Sequence, residues 1–238
     1  MRLVGIDELR EGSTLLFDKP MYWTSFDLVN KVRGILKKAT GDKKIKVGHA
    51  GTLDPLATGL MIVCTGRKTK SIAGMTDMDK EYIATFRLGS TTPSFDLETE
   101  VDAVYPVSHI TNELIADIIV SMKGEQMQVP PVYSAKFIDG KRSYELARKG
   151  IMKEPPPVRV VIKELEVVGR KDNDMTIRAL VSKGTYIRSL ARDVGLALGS
   201  GAHLIELKRT RIGSYDLSEA VSVENFEKYV TLMQQTTS

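Results

Sequence analysis

A single carboxylate fenced by glycines constrains this chain more than any other feature. Residues 48–59 read Gly-His-Ala-Gly-Thr-Leu-Asp-Pro-Leu-Ala-Thr-Gly, so Asp54 stands among small residues, with Pro55 after it and His49 five positions before. Gly48, Gly51 and Gly59 allow tight turns or a close approach of the backbone to another group. Pro55 disfavours the helical region at Asp54, which presents the carboxylate from a loop. An Asp-Pro turn of this kind has two uses. It can cap the apolar run Leu60–Cys64 that follows, or it can hold a carboxylate ready for chemistry.

The rest of the composition narrows the options. A chain of 238 residues permits one large domain or two small ones and is ample for a buried core. Hydrophobic residues at 42% and charged residues at 27% suit a globular fold. A net charge of +4 is too mild to indicate nucleic acid. The basic clusters are more informative: Lys31 with Arg33, Lys37-Lys38, Lys43-Lys44 with Lys46, Lys141-Arg142, and Lys208-Arg209 with Arg211. Such patches can bind phosphates, although each taken singly also suits an ordinary solvated face. The one cysteine, Cys64, lies in an apolar run and excludes an internal disulfide and a cysteine-based metal site. His49, His109 and His203 lack metal-ligand spacing, so no metal is expected. No stretch approaches the roughly 18 consecutive apolar residues of a membrane span, and Met1–Asp7 has no signal-peptide core. The expected location is the cytoplasm. Gly66-Arg67-Lys68-Thr69 does not make a phosphate-binding loop, because Met61 stands where that motif needs glycine.

Periodicity gives the elements. Thr14–Phe17 reads as a strand opening into a loop at Lys19-Pro20. Thr24 with Asp27 predicts a capped helix with Leu28, Val32 and Ile35/Leu36 on one face. Leu60–Cys64 fits a buried strand or a short helix equally. Tyr82, Ala84, Phe86 and Leu88 alternate as in a strand, and Thr111 caps a helix running to Met122 that Gly124 can end. Residues 125–157 read as irregular, with Pro130-Pro131, a short helix near Ser143–Lys149 and a Pro155–Pro157 exit. Strands over Val158–Val168 and Met175–Ser182 are joined by a polar turn, and a helix (Ile187–Leu198), a strand (Leu204–Tyr215) and a last helix (Ser222–Gln235) follow. Helices and strands mix without βαβ alternation, which predicts an α+β fold with a mainly antiparallel sheet.

The motif at 48–59 resembles, almost residue for residue, the catalytic motif of the tRNA pseudouridine synthase B (TruB) family. Asp18-Lys19-Pro20 with Thr24-Ser25 is similar to that family's N-terminal motif, and Lys80-Glu81-Tyr82 with Arg87-Leu88-Gly89 to its tyrosine-bearing strand. Lys183–Arg188 resembles its arginine motif, and Gly201–Leu207 with Arg209 its last catalytic segment. Pro130–Lys136 and the residues up to Gly150 resemble its RNA-clasping insertion. The likeness runs from about Leu15 to Tyr215. One departure stands in the first motif: the family usually carries glycine two residues after Lys-Pro, and here Tyr22 follows, then Trp23.

The resemblance implies a pseudouridine synthase fold, with a mixed central sheet, flanking helices and loops, and RNA across one face. It implies one catalytic domain over 1–238, with 125–153 as an inserted RNA-binding thumb. The PUA-type C-terminal domain of many members is not expected, since the chain stops at Ser238. The implied reaction isomerises uridine to pseudouridine at position 55 in the tRNA T loop, without cofactor, through a flipped-out nucleotide. Asp54 would be the essential aspartate and Arg188 its partner. Tyr82 would stack on the flipped base, with Tyr186, Leu207, Lys19 and Pro20 supporting the pocket. His49 would fill the gap left in the T loop, and Lys136, Lys141, Arg142 and Arg209 would bind RNA. The implied partner is the T arm of tRNA, with no membrane, no guide RNA and a monomeric protein. Two alternatives stand beside this: a tRNA-folding RNA chaperone and a guide-RNA-dependent synthase.

Overall fold

Local chemistry sets the first long helix. Thr24 accepts a hydrogen bond from the Asp27 backbone N–H at 3.0 Å, and the Asp27 carboxylate accepts one from the Thr24 N–H at 2.8 Å. This reciprocal capping starts the helix Ser25–Thr40, and Gly41, in the left-handed region at φ 68, ends it. The structure, a computed structural model, describes residues 5–134, 137–138, 140–143, 150–151 and 153–236.

In chain order the strands are β1 (Thr14–Lys19), β2 (Val47–Ala50), β3 (Thr58–Thr65), β4 (Lys80–Leu88), β5 (Ser90–Thr91), β6 (Ala103–Val104), β7 (Gly124–Gln128), β8 (Phe137–Ile138), β9 (Lys141–Arg142), β10 (Val158–Lys171), β11 (Asp174–Val181), β12 (Ala202–Ile212) and β13 (Tyr215–Asp216). The helices are α1 (Ile6–Glu11), α2 (Ser25–Thr40), α3 (Ile72–Thr76), α4 (Asn112–Ser121), α5 (Ile187–Ala197) and α6 (Val223–Thr236). The fold is α+β with a mainly antiparallel sheet and flanking helices, as expected. No helix among the described residues is long and apolar enough to cross a membrane.

Contacts within the chain gather it into two units: residues up to Lys80 with those from Lys208 onward, and Glu81–Leu207. In the first, β3 pairs antiparallel with β1 and β2 and parallel with the C-terminal part of β12, where Arg209 lies opposite Gly59. From Gly59 to Thr65 every residue of β3 is buried, because both faces of the strand are covered. Phe17, Leu28, Val32, Leu36, Met61 and Phe226 form one core cluster, with Phe17 and Phe226 edge to face at 5.2 Å. Leu16, Leu60, Ile62, Cys64 and Met75 belong to another. The ambiguity over Leu60–Cys64 is thereby decided for strand, and Cys64 is a buried free thiol.

In the second unit, β10 and β11 form a hairpin whose turn places Asp172 at φ 53, and β7 pairs with the other edge of β10. Residues 125–128, which the sequence reads as irregular, are therefore sheet. Gly124-Glu125-Gln126-Met127-Gln128 has little strand character of its own, and pairing from Gln128↔Val158 to Gly124↔Ile162 supplies the order. Gly124 begins this strand at φ 99 rather than ending α4, which closes at Ser121. The helix expected near Ser143–Lys149 lies outside the described residues.

Removing the Thr24 hydroxyl should cost about 1 kcal/mol of stability. Urea denaturation of Thr24→Ala checks this, with the m-value expected to stay constant.

Candidate active site

The loop that carries Asp54 is held from several directions within the first unit. Ser25, at the start of α2, accepts the Leu53 N–H at 2.8 Å and donates its hydroxyl to the Leu53 carbonyl at 3.0 Å. The Tyr22 N–H donates to the Pro55 carbonyl at 2.7 Å. The residues flanking Asp54 are thus fixed by the first loop and by α2, while Asp54 itself stays half-buried.

Lys19, at the end of β1, is fully buried. Its ammonium donates to the carbonyls of Trp23 at 2.7 Å, Pro20 at 2.9 Å and Pro55 at 3.5 Å, so that the first loop wraps around it. Burial pushes the Lys19 pKa down to about 8; the nearby Asp54 carboxylate opposes the shift and the Arg209 charge adds to it. Pro20 is exposed.

Arg209 is the chief correction to the sequence reading, which expects it to bind RNA. It lies in the interior, 1% exposed. Its Nε donates to Leu60 at 2.8 Å, and its terminal nitrogens donate to Gly51 at 3.2 Å and Thr52 at 3.5 Å, all backbone carbonyls of the motif region. A guanidinium has five donors in a rigid fork, which lets one side chain satisfy several loop carbonyls. Gly59 completes the fit: at φ +104 a β-carbon would sit 2.3 Å from the Arg209 carbonyl oxygen. His49, on β2, is half-buried, and burial together with the Arg209 charge holds its pKa below the usual imidazole value against an opposing contact with the Gly51 backbone. A neutral ring there suits stacking better than phosphate binding.

Four further predicted residues belong to the second unit. Tyr82 is buried near the start of β4, and its hydroxyl makes no hydrogen bond among the described residues. Tyr186 precedes α5 and is held by Gln128: its N–H donates to Gln128 Oε1 at 2.8 Å, and Gln128 Nε2 returns a bond to its carbonyl at 3.2 Å. Arg188, in the first turn of α5, is 4% exposed; its Nε lies 3.6 Å from Asp96 Oδ2, and it donates to the Ser94 carbonyl at 3.5 Å. Between those partners Phe95 adopts φ 62, a strained conformation for a bulky residue, and Arg192 lies over its ring at 4.9 Å. Leu207 is half-buried on β12. Of the expected RNA contacts, Lys141 is exposed in β9, Arg142 shares that strand, and Lys136 lies outside the described residues.

Sequence reasoning missed Asp96, Gln128 and the structural use of Arg209. Asp96 is hidden among Glu98, Glu100 and Asp102 in an acidic stretch that reads as solvated surface, and only burial to 5% exposure singles it out.

Known proteins match this arrangement over nearly its whole length. Residues 37–187 match the model of the TruB family pseudouridylate synthase N-terminal domain, and residues 188–238 that of the tRNA pseudouridylate synthase B C-terminal domain. The chain belongs to the TruB family. It is 57% identical over 219 residues to tRNA pseudouridine synthase B of Parabacteroides distasonis, covering 92% of this chain and 93% of that protein. It is 54% identical to tRNA pseudouridine synthase B of Phocaeicola vulgatus, covering 93% and 94%. Among solved structures, a chain in the crystal structure of a Cbf5-Nop10-Gar1 complex is similar at a TM-score of 0.73 and 27% identity, over 99% of this chain and 59% of that one. For this TruB-family chain, the match at 37–187 contains both Asp54 and Tyr82, while Arg188 opens the second matched region.

Two outcomes follow for the side chains that hold the site. The Lys19 pKa is lower in the folded than in the unfolded chain, so the unfolded chain binds more protons between pH 8 and 10.5, and wild-type stability rises with pH in that window. Relative to Lys19→Met, the wild type should gain about 2 kcal/mol between pH 7.5 and 9.5, read by urea denaturation at each pH. Asp96→Ala removes a carboxylate from beside the buried Arg188 guanidinium and should lower stability by about 3 kcal/mol in the same assay.

Proposed function

We propose that this protein isomerises uridine to pseudouridine at position 55 in the T loop of tRNA. The observation that carries the reading is the family match through residues 37–187, a span that contains Asp54. The reaction breaks the N1–C1′ glycosidic bond, turns the uracil, and joins C5 to C1′. The C5 proton is lost and N1 gains one, so atoms and charge balance without donor or cofactor. The nucleotide must leave its stack before any group can reach C1′ or C6.

Asp54 supplies the carboxylate. Its neighbours Leu53 and Pro55 are pinned by Ser25, Tyr22 and Lys19, which supports a role demanding fixed geometry. In this reading Arg188 orients Asp54 by paired hydrogen bonds, and Asp96 and Ser94 position Arg188. Tyr82, with a hydroxyl left over by the fold, stacks on the flipped uracil, and Tyr186 and Leu207 line the pocket. His49 fills the space that the base vacates. Lys136, Lys141 and Arg142 contact the RNA from the inserted segment. The enzyme works in the cytoplasm as a monomer on the T arm, without guide RNA, and recognises a preformed loop largely by shape.

An unmodified T-arm stem-loop incubated with purified protein, without added metal or cofactor, should yield pseudouridine at that one loop uridine. Asp54→Asn should lose more than about a thousandfold in single-turnover rate while binding the RNA as tightly as the wild type. Equal binding without product from the wild type would favour an RNA chaperone instead.

A further inference from the structure

Tyr22 occupies a backbone conformation that suits glycine. Its φ is 68, and a side chain there is strained where glycine is not. The fold draws no evident return from the ring, which is 76% exposed. Its hydroxyl and ring make no hydrogen bond, ion pair or ring contact among the described residues. The backbone N–H does have a job, donating to the Pro55 carbonyl at 2.7 Å, but glycine would donate equally well. What the position gains from tyrosine therefore lies outside the folded chain.

Its neighbours share the pattern. Met21 is 42% and Phe26 61% exposed, while Trp23, between them, packs on the core cluster of Phe17 and Phe226. Three large apolar side chains are thus displayed within six residues, from a loop and helix start bonded directly to Leu53 and Pro55 on either side of Asp54. The surrounding charge fits one kind of occupant. The first unit carries 18 Lys and Arg against 13 Asp and Glu, a net +5, whereas the second carries 16 against 17, a net −1. A polyanion is drawn to the first unit, and flat exposed rings beside the reacting loop are platforms for unpaired bases.

We infer that Tyr22, with Phe26 four positions on in sequence, forms a stacking platform for an unpaired nucleobase of the RNA next to the flipped uridine. The assignment rests on the proposed RNA-modifying activity and adds a substrate-binding contact to it. Stacking reads a π-face rather than a hydrogen-bonding edge, so the platform adds affinity and orientation without base preference.

The test is equilibrium binding of the T-arm stem-loop to Asp54→Asn protein, which leaves the RNA unconverted, with Tyr22→Gly or Tyr22→Phe added. Tyr22→Gly should weaken binding roughly tenfold, and Tyr22→Phe should stay within about twofold of the parent. The slope of log K against log salt should not change, because no phosphate contact is removed. The melting temperature of Tyr22→Gly should hold or rise, since the strain is relieved. Unchanged affinity in Tyr22→Gly overturns the assignment, as does a loss of affinity that only accompanies a lower melting temperature. Absence of pseudouridine from the wild type in the stem-loop assay overturns the activity itself, and that result is read separately.

Discussion

A buried guanidinium holds this protein's most important loop. The stretch from Gly48 to Gly59 has few side chains large enough to anchor it, so its backbone carbonyls offer the points of attachment. Arg209 reaches in from β12 and satisfies Gly51, Thr52 and Leu60. Hydrogen bonds to a charged donor contribute about 1.5–3 kcal/mol each, and leaving such carbonyls bare would cost a similar amount. Lysine cannot replace this fork, because a point charge on a flexible stem does not span carbonyls nine residues apart in sequence. The demand extends to Gly59, where the parallel pairing with β12 brings two backbones too close for any β-carbon.

Lys19 repeats the device at the first loop and Pro55. Its ammonium is wrapped by Pro20, Trp23 and Pro55, so β1, the first loop and the motif loop share one donor. Two buried cations thus spend their hydrogen bonds on backbone, and their cost in desolvation shows in the lowered Lys19 pKa. The residues on either side of Asp54 are held by the scaffold, Leu53 by Ser25 and Pro55 by Tyr22 and Lys19. In the second unit the same logic uses different residues. A strained turn at Phe95 directs the Ser94 carbonyl and the Asp96 carboxylate at Arg188, and Gln128 clasps the backbone of Tyr186 before α5.

Elements whose signal is local were legible in the chain itself. The Thr24/Asp27 cap, the apolar face of α2, the alternation of β4 and the β10–β11 hairpin all depend on residues a few positions apart. The Asp54 motif was legible for a different reason: the whole string from Gly48 to Gly59 resembles the motif of a known family, whereas its turn chemistry alone also suits an ordinary cap. β7 was not legible, since its polar residues become strand only against β10. Asp96 was hidden because a carboxylate in an acidic run looks like surface until burial is known.

The sequence by itself therefore determined the fold class and, through its motifs, the family. Tertiary structure decided which charges serve the solvent and which serve the scaffold. Arg209 looked like one more cation in the run Lys208-Arg209-Thr210-Arg211, yet it is interior while Lys208 is exposed. Tyr22 looked like an irregular substitution, yet it proves to be a side chain displayed at a strained position beside the site. In both cases the deciding quantity is burial, set by contacts between residues dozens to hundreds of positions apart, and no local pattern encodes it.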